Sequence, residues 1–351
     1  MITFYPGPSK LYPQIESFLT DAYRSGLLSM NHRSKPFMEM LGKTIAVLKE
    51  KLLVPDAYEV VFTSSATECW EIVAQSLTPH KSFHLYNGAF GEKWSDYAGR
   101  IHGRTVNIPY NLNEQPGTVF PDHGDRDLLC LTQTETSNGT AVDNLSLQAV
   151  RSTFKGLVAV DATSGMAGVS LPWETADIWF ASVQKCFGLP SGLAVMILSP
   201  RAVEASDEVG EKLHYNSLPF VIENFRKLQT PYTPNILGIY LLNRLMSTLD
   251  PIDLVSRKLE NRSLMLYQFL EQHGFSPLVE NSAVRSHTVV AVQDSKENVA
   301  AVKAFALSKH IMLGNGYGQW KESAFRIANF PAITDPEVSA LKECLLAFKN
   351  S

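Results

Sequence analysis

The sequence predicts a layered α/β protein: a large domain with a mainly parallel sheet between helices, followed by a small C-terminal α+β domain. Three observations predict it. From about residue 57 to 200, short apolar or β-branched runs alternate with longer helix-like segments, the rhythm of a layered α/β sheet. Several of these runs are apolar throughout, as strands covered on both faces should be. After Pro200 the pattern turns to helices with i, i+3, i+4 apolar spacing, and then to a shorter mixture of strands and helices. The 351 residues suffice for about two units, and 45% hydrophobic against 19% charged residues excludes disordered and fibrous chains.

The strand candidates in order are YEVVFTS (58–64), SFHLYN (82–87), RTVNIP (104–109), DLLCLTQ (127–133), GLVAVD (156–161), DIWFAS (177–182) and LAVMIL (193–198). Helical stretches lie between them: ATECWEIVAQSL after the first, GEKWSDYAGRIHG after the second and LSLQAVRSTF before the fifth, as parallel crossovers require. Beyond residue 200, NILGIYLLNRLMSTL (235–249) and DLVSRKLENRSLMLYQFLEQHG (253–274) read as helices, the second ending at Gly274 where a helix C-cap belongs. SHTVVAVQ, the helix KENVAAVKAFALSKH, the strand-like SAFRIANF and the helix EVSALKECLLAFK complete the second unit. The expected division is 15–245 for the large domain, with 1–14 and 246–351 forming the small one.

Charge and cysteine content narrow the function. Lys and Arg total 31 against 35 Asp and Glu, a net charge of -4, which offers no general attraction to nucleic acid or anionic lipid. Cys69, Cys130, Cys186 and Cys344 lie far apart with no C-x-x-C pair, which fits a reducing compartment better than a disulfide framework or zinc site. The N-terminus MITFYPGPSKLYP has no basic start or apolar core of a leader, and no later run approaches about 18 uncharged apolar residues. The chain is expected to be cytoplasmic, with neither membrane nor nucleic acid as partner.

The sharpest local feature is Lys185 in ASVQKCFGLPSGLA, directly after an apolar strand. Alone, such a lysine is more often a solvated strand end. Asp161 ends the preceding strand candidate, so in a parallel sheet both side chains emerge at the edge where ligands of open α/β sheets sit. An Asp and a Lys held that way suit pyridoxal 5'-phosphate: the lysine bonds the aldehyde, and the carboxylate keeps the pyridine nitrogen protonated. TSSATECW could supply phosphate donors from the backbone of Ser65, Ala66 and Thr67 at a helix start, although Ser and Thr there are more often simple caps. Phe90, with Trp94 four residues on, could cover a bound ring or belong to the core. Thr136 in TQTETSNG could reach a ring oxygen or serve an ordinary turn. No P-loop, H-E-x-x-H, G-x-S-x-G or His/Cys cluster is present, so no metal is expected, and GNGYG (314–318) reads as a glycine turn.

Together these motifs resemble the class V aminotransferases of pyridoxal phosphate fold type I, and within them the phosphoserine aminotransferases. FYPGPSKLYP is similar to that family's F-x-x-G-P-x-x-L-P, NHRSKPF (31–37) to its H-R-S-K-x-F, and TETSNG to its N-E-T loop. QTPYTP (229–234) is similar to its N-T-P-P-T and FRIANF to its C-terminal arginine segment, all in family order over nearly the whole chain. The resemblance implies Lys185 as the Schiff-base lysine, Asp161 as partner of the ring nitrogen and Phe90 as the stacking residue, where the family usually has Trp. It further implies Ser65, Ala66, Thr67 and Gln184 at the cofactor phosphate and Thr136 at the ring oxygen. Gln229 and Thr230 would reach the other subunit's cofactor, so a homodimer with shared sites is implied. Arg326 would bind the substrate α-carboxylate, with His32 and Arg33 facing the substrate side chain across the dimer.

Two departures bear on the substrate. The family's second His-Arg pair is missing: the corresponding loop reads GYGQWKESAFR, with Lys321 its only cation before the arginine, and the phosphate turn reads SSATECW without glycine or arginine. The matching motifs imply a ping-pong phosphoserine:2-oxoglutarate aminotransferase of serine biosynthesis. A serine- or alanine-glyoxylate transaminase is left as an alternative, and a non-catalytic binding module of the same fold as a second.

Overall fold

The computed structural model describes residues 1–350; Ser351, the end of the expected small domain, lies outside them. All seven expected runs before residue 200 form strands, and they make one sheet in the order 59–63, 194–198, 178–182, 157–161, 128–132, 82–86, 105–109. The last five are mutually parallel. Ala194–Leu198 alone runs antiparallel to both its neighbours. The reason is length: the connection 183–193 is shorter than the dozen or so residues a parallel crossover takes, so the chain turns back as a wide hairpin. Strands Leu128–Thr132, Leu157–Asp161, Ile178–Ser182 and Ala194–Leu198 are buried at every residue, as their unbroken apolar sequences require. Thr105–Pro109 closes one edge and has no fully buried residue.

The expected helices Ala66–Ser76, Ala89–His102 and Asn144–Thr153 are present, the first and third capped by Ser65 and Asp143. Four helices go beyond the sequence expectation: Ile15–Arg24, Lys35–Leu52, Pro200–Val209 and Leu218–Arg226. The motif NHRSKPF opens one of them. Ser34 Oγ accepts from Phe37 N and Pro36 occupies the first turn, so His32 and Arg33 stand just ahead of Lys35–Leu52. That helix packs against Ile236–Met246, which follows the QTPYTP loop.

A second sheet runs in the order 2–4, 311–315, 324–328, 289–293, 276–277. Its outer strand Ile2–Phe4 comes from the chain start and lies parallel to Ile311–Asn315. This pairing carries residues 5–9 to the first sheet, where Ser9 N donates to Gln184 O. The glycine run 314–318 departs from the expected simple turn. Gly314 and Asn315 end a strand, a Cβ at 314 would strike Pro6, and only at Gly318, with φ +57°, does the chain turn. Among the described residues no helix is long and apolar enough to cross a membrane.

Candidate active site

Asp161 is the last residue of Leu157–Asp161, and Lys185 lies three residues beyond the end of its parallel neighbour Ile178–Ser182. The turn between is closed by Gly188 N donating to Lys185 O and Leu189 N to Val183 O. Both side chains therefore reach one edge of the sheet, over a cavity of about 270 Å³. Residues 5–8 and Arg326 from the second sheet line its other side.

Lys185 is buried, and its Nζ donates to Thr136 Oγ1 at 2.7 Å and Ser164 Oγ at 2.9 Å. Burial disfavours the ammonium and outweighs the attraction of Asp161 and Glu135, bringing the amine down to about 8. The amine stands 5.2 Å from the Phe90 ring centre. That ring is stacked on Tyr317, with centroids 4.8 Å apart. Of the two candidate aromatics, Phe90 therefore borders the cavity, while Trp94 is fully buried in the core against Trp70.

The Asp161 carboxylate is buried and doubly held: Oδ1 accepts from Thr163 N and Oδ2 from Trp70 Nε1, each at 2.9 Å. Each oxygen has room for a further donor. Beside it the helix Ala66–Ser76 points its first turn at the cavity, with Ala66 and Thr67 in the lining. Ser65 does not line it; its Oγ accepts from Glu68 N as a helix cap. Ala66 N meanwhile donates to Ser182 Oγ.

Three buried polar atoms on lining residues have no partner among the described residues: Thr132 Oγ1, Thr163 Oγ1 and Gln184 Oε1. An unpaired buried polar group costs about 1–3 kcal/mol, so three on residues that line one cavity mark its wall as suited to a polar occupant. Arg326 sits mid-strand in Ala324–Ala328, its Nε donating to Asn315 O and Nη1 to Thr136 O. It is buried above the Tyr317 ring, and no hydrogen bond engages its Nη2 among the described residues.

The remaining expected residues lie away from this cavity, though close to one another. Arg33 Nη1 donates to Gln229 Oε1 at 2.7 Å on an exposed surface. His32 is half-buried next to it in sequence, and Thr230 is buried with its Oγ1 donating to Tyr232 O. Lys321 is exposed and does not line the cavity.

Sequence reasoning passed over Trp70, Glu135, Ser164, Tyr5 and Tyr317. Glu135 is fully enclosed: Oε2 accepts from Phe90 N and Gly91 N, and Oε1 from Ser137 N and Oγ. Burial raises its carboxyl against those bonds. Ser164 had a signal, lying three residues after Asp161 in DATSG, and Trp70 had another, one helical turn after Ala66.

No family model matches the chain. Named relatives do. A phosphoserine aminotransferase of Rhodococcus opacus is 28% identical over 97% of this chain and 92% of its own. A putative phosphoserine aminotransferase of Mycobacterium leprae is 29% identical over 97% and 93%. The crystal structure of a phosphoserine aminotransferase from Cytophaga hutchinsonii superposes with a TM-score of 0.92 at 32% identity, covering 98% of both chains. With that likeness spanning both sheets and the cavity between them, the chain belongs to the class V aminotransferases of fold type I, the pyridoxal phosphate-dependent family that includes the phosphoserine aminotransferases.

Proposed function

We propose that the protein is a phosphoserine:2-oxoglutarate aminotransferase of serine biosynthesis, working as a homodimer with shared sites. The observation that carries the reading is the cavity at which a lysine amine brought down to about 8, a doubly held carboxylate and a buried guanidinium converge. Relatives named for phosphoserine, at full length, support the substrate.

The residues present fit pyridoxal phosphate. At the helix start that Ser65 caps, the Thr67 N–H and hydroxyl, the helix dipole and the side-chain N–H of Gln184 beside Ala66 would hold the phosphate. Phe90 would cover the ring, Thr136 its oxygen, and Asp161 its nitrogen. When bound, the cofactor supplies an aldehyde that accepts the amino group and a ring that takes up the electrons of a substrate carbanion.

The chain's own residues do the rest. Arg326 binds the substrate α-carboxylate through Nη2, the nitrogen its bonds to Asn315 O and Thr136 O leave open, as a charge-assisted hydrogen bond. The Lys185 amine, substantially neutral near pH 8, takes the proton from the substrate α-carbon and delivers it on the other side of the transfer. Thr136 and Ser164 hold that amine on the cavity floor. His32 and Arg33, with Gln229 and Thr230, would complete the neighbouring subunit's site, where Arg33 meets the substrate phosphate.

One specific feature favours a second reading, a serine- or alanine-glyoxylate transaminase: the loop before Arg326 lacks a His-Arg pair and its one cation, Lys321, faces solvent. A screen of phosphoserine, serine and alanine as donors against 2-oxoglutarate and glyoxylate separates the two. Preference for phosphoserine with 2-oxoglutarate, with parallel lines in double-reciprocal plots, is the expected result. Preference for serine or alanine with glyoxylate would reassign the substrate.

A further inference from the structure

We propose that Trp70 is a positioning residue of the reaction: its indole N–H holds the Asp161 carboxylate turned toward the cofactor's ring nitrogen. This rests on the reading of Asp161 given above. Trp70 Nε1 lies 2.9 Å from Asp161 Oδ2, both residues are buried, and both line the cavity. A buried carboxylate needs donors to satisfy its oxygens, and those donors set its orientation. Asp161 has two, and the other comes from the backbone at Thr163 N, so among the described residues Trp70 is the only side chain that donates to it. Charge-assisted bonds of this kind are short and strong, and two donors on different oxygens fix the plane of the carboxylate.

The indole is itself held in place. It stacks on Trp94, with centroids 6.2 Å apart and planes 11° apart, and meets Tyr97 at 6.0 Å. Its place on the helix adds a second link. Trp70 follows Ala66 by four residues, one turn on the same face, so the helix whose first turn borders the cavity also reaches Asp161. One rigid element thereby sets the spacing between the anion-binding end of the site and the carboxylate.

The test is the affinity of the apoprotein for two ligands, pyridoxal phosphate and its 1-deaza analogue, which has carbon in place of the ring nitrogen. Trp70→Phe keeps an aromatic ring and removes the donor. It should weaken pyridoxal phosphate about tenfold or more, the scale of one hydrogen bond to a charged group, and leave the analogue nearly unchanged. Equal weakening of both ligands, the result of mere loss of packing, or no weakening of either would overturn the proposal. Asp161→Asn is measured alongside to separate the two levels of the argument. If it discriminates between the ligands and Trp70→Phe does not, only the role of Trp70 falls; if wild-type protein does not discriminate, the reading of Asp161 falls and takes this proposal with it. Should Trp70→Phe fail to fold, protein with tryptophan replaced by 3-benzothienylalanine, which keeps the ring shape without the N–H, gives the same ratio of dissociation constants.

Discussion

A lysine amine in water keeps its proton to about pH 10.4, whereas Lys185 releases it at about 8 because its ammonium has exchanged water for two hydroxyls and an aromatic face. The sign follows directly. The neutral amine is the form that attacks an aldehyde, and its fraction grows as pH rises through the folded value. The rate at which apoprotein captures pyridoxal phosphate should therefore climb to a plateau just above pH 8; stopped-flow absorbance checks this, and a rate still climbing beyond pH 10 would mean an ordinary lysine. Gly7 offers a second prediction at the same scale. Its φ of +146° suits glycine, and a Cβ there would stand 3.2 Å from Lys185 Cε. Gly7→Ala should cost about 1–3 kcal/mol in urea unfolding and slow cofactor capture, through backbone strain beside the amine. Unchanged stability would show that the segment relaxes without loss.

The helix Ala89–His102 shows how an element is anchored from outside itself. Its cap residue Gly88 has no side chain to give, and a Cβ there would fall on Glu135, whose carboxylate takes the free N–H groups of Phe90 and Gly91 instead. Glu135→Ala leaves those donors and Ser137 unpaired, and should cost about 1–3 kcal/mol in urea unfolding while loosening Phe90 over the cavity. A loss under about 0.5 kcal/mol, on the scale of surface substitutions, would show that water replaces the carboxylate. The same contrast explains what the sequence makes legible. The seven strands of the large sheet are readable because burial on both faces demands unbroken apolar runs such as AVMIL, and Asp161 and Lys185 are readable as positions because they follow such runs. Ile2–Phe4 is not, since three residues become a strand only by pairing with 311–313 at the far end of the chain. Nor are the partners that hold the site. Trp70 meets Asp161 across 91 residues and Glu135 meets Gly91 across 44, while local spacing rules reach only one helical turn.

At the scale of the whole molecule, the residues expected to serve the other subunit's site are brought together without being brought to the cavity. Arg33 and Gln229, 196 residues apart, bond to each other on an exposed face. That arrangement makes sense if the face completes a second copy's cavity, and it predicts the behaviour of mixed dimers. Arg33→Ala alone should lower kcat/KM for phosphoserine by about one to two powers of ten, the worth of a charged hydrogen bond to phosphate, and change serine or alanine turnover little. Lys185→Ala alone should be inactive with every donor. When the two variants are unfolded together and refolded in equal amounts, half of the randomly paired dimers are mixed. In a shared-site dimer each mixed pair contains one cavity spoiled twice and one with its lysine from one chain and its arginine from the other, both intact. Activity with phosphoserine should then return to about a quarter of the wild-type level. If Arg33 instead served the cavity of its own chain, no pairing could rebuild a complete site, and the mixture would do no better than the Arg33→Ala chains within it.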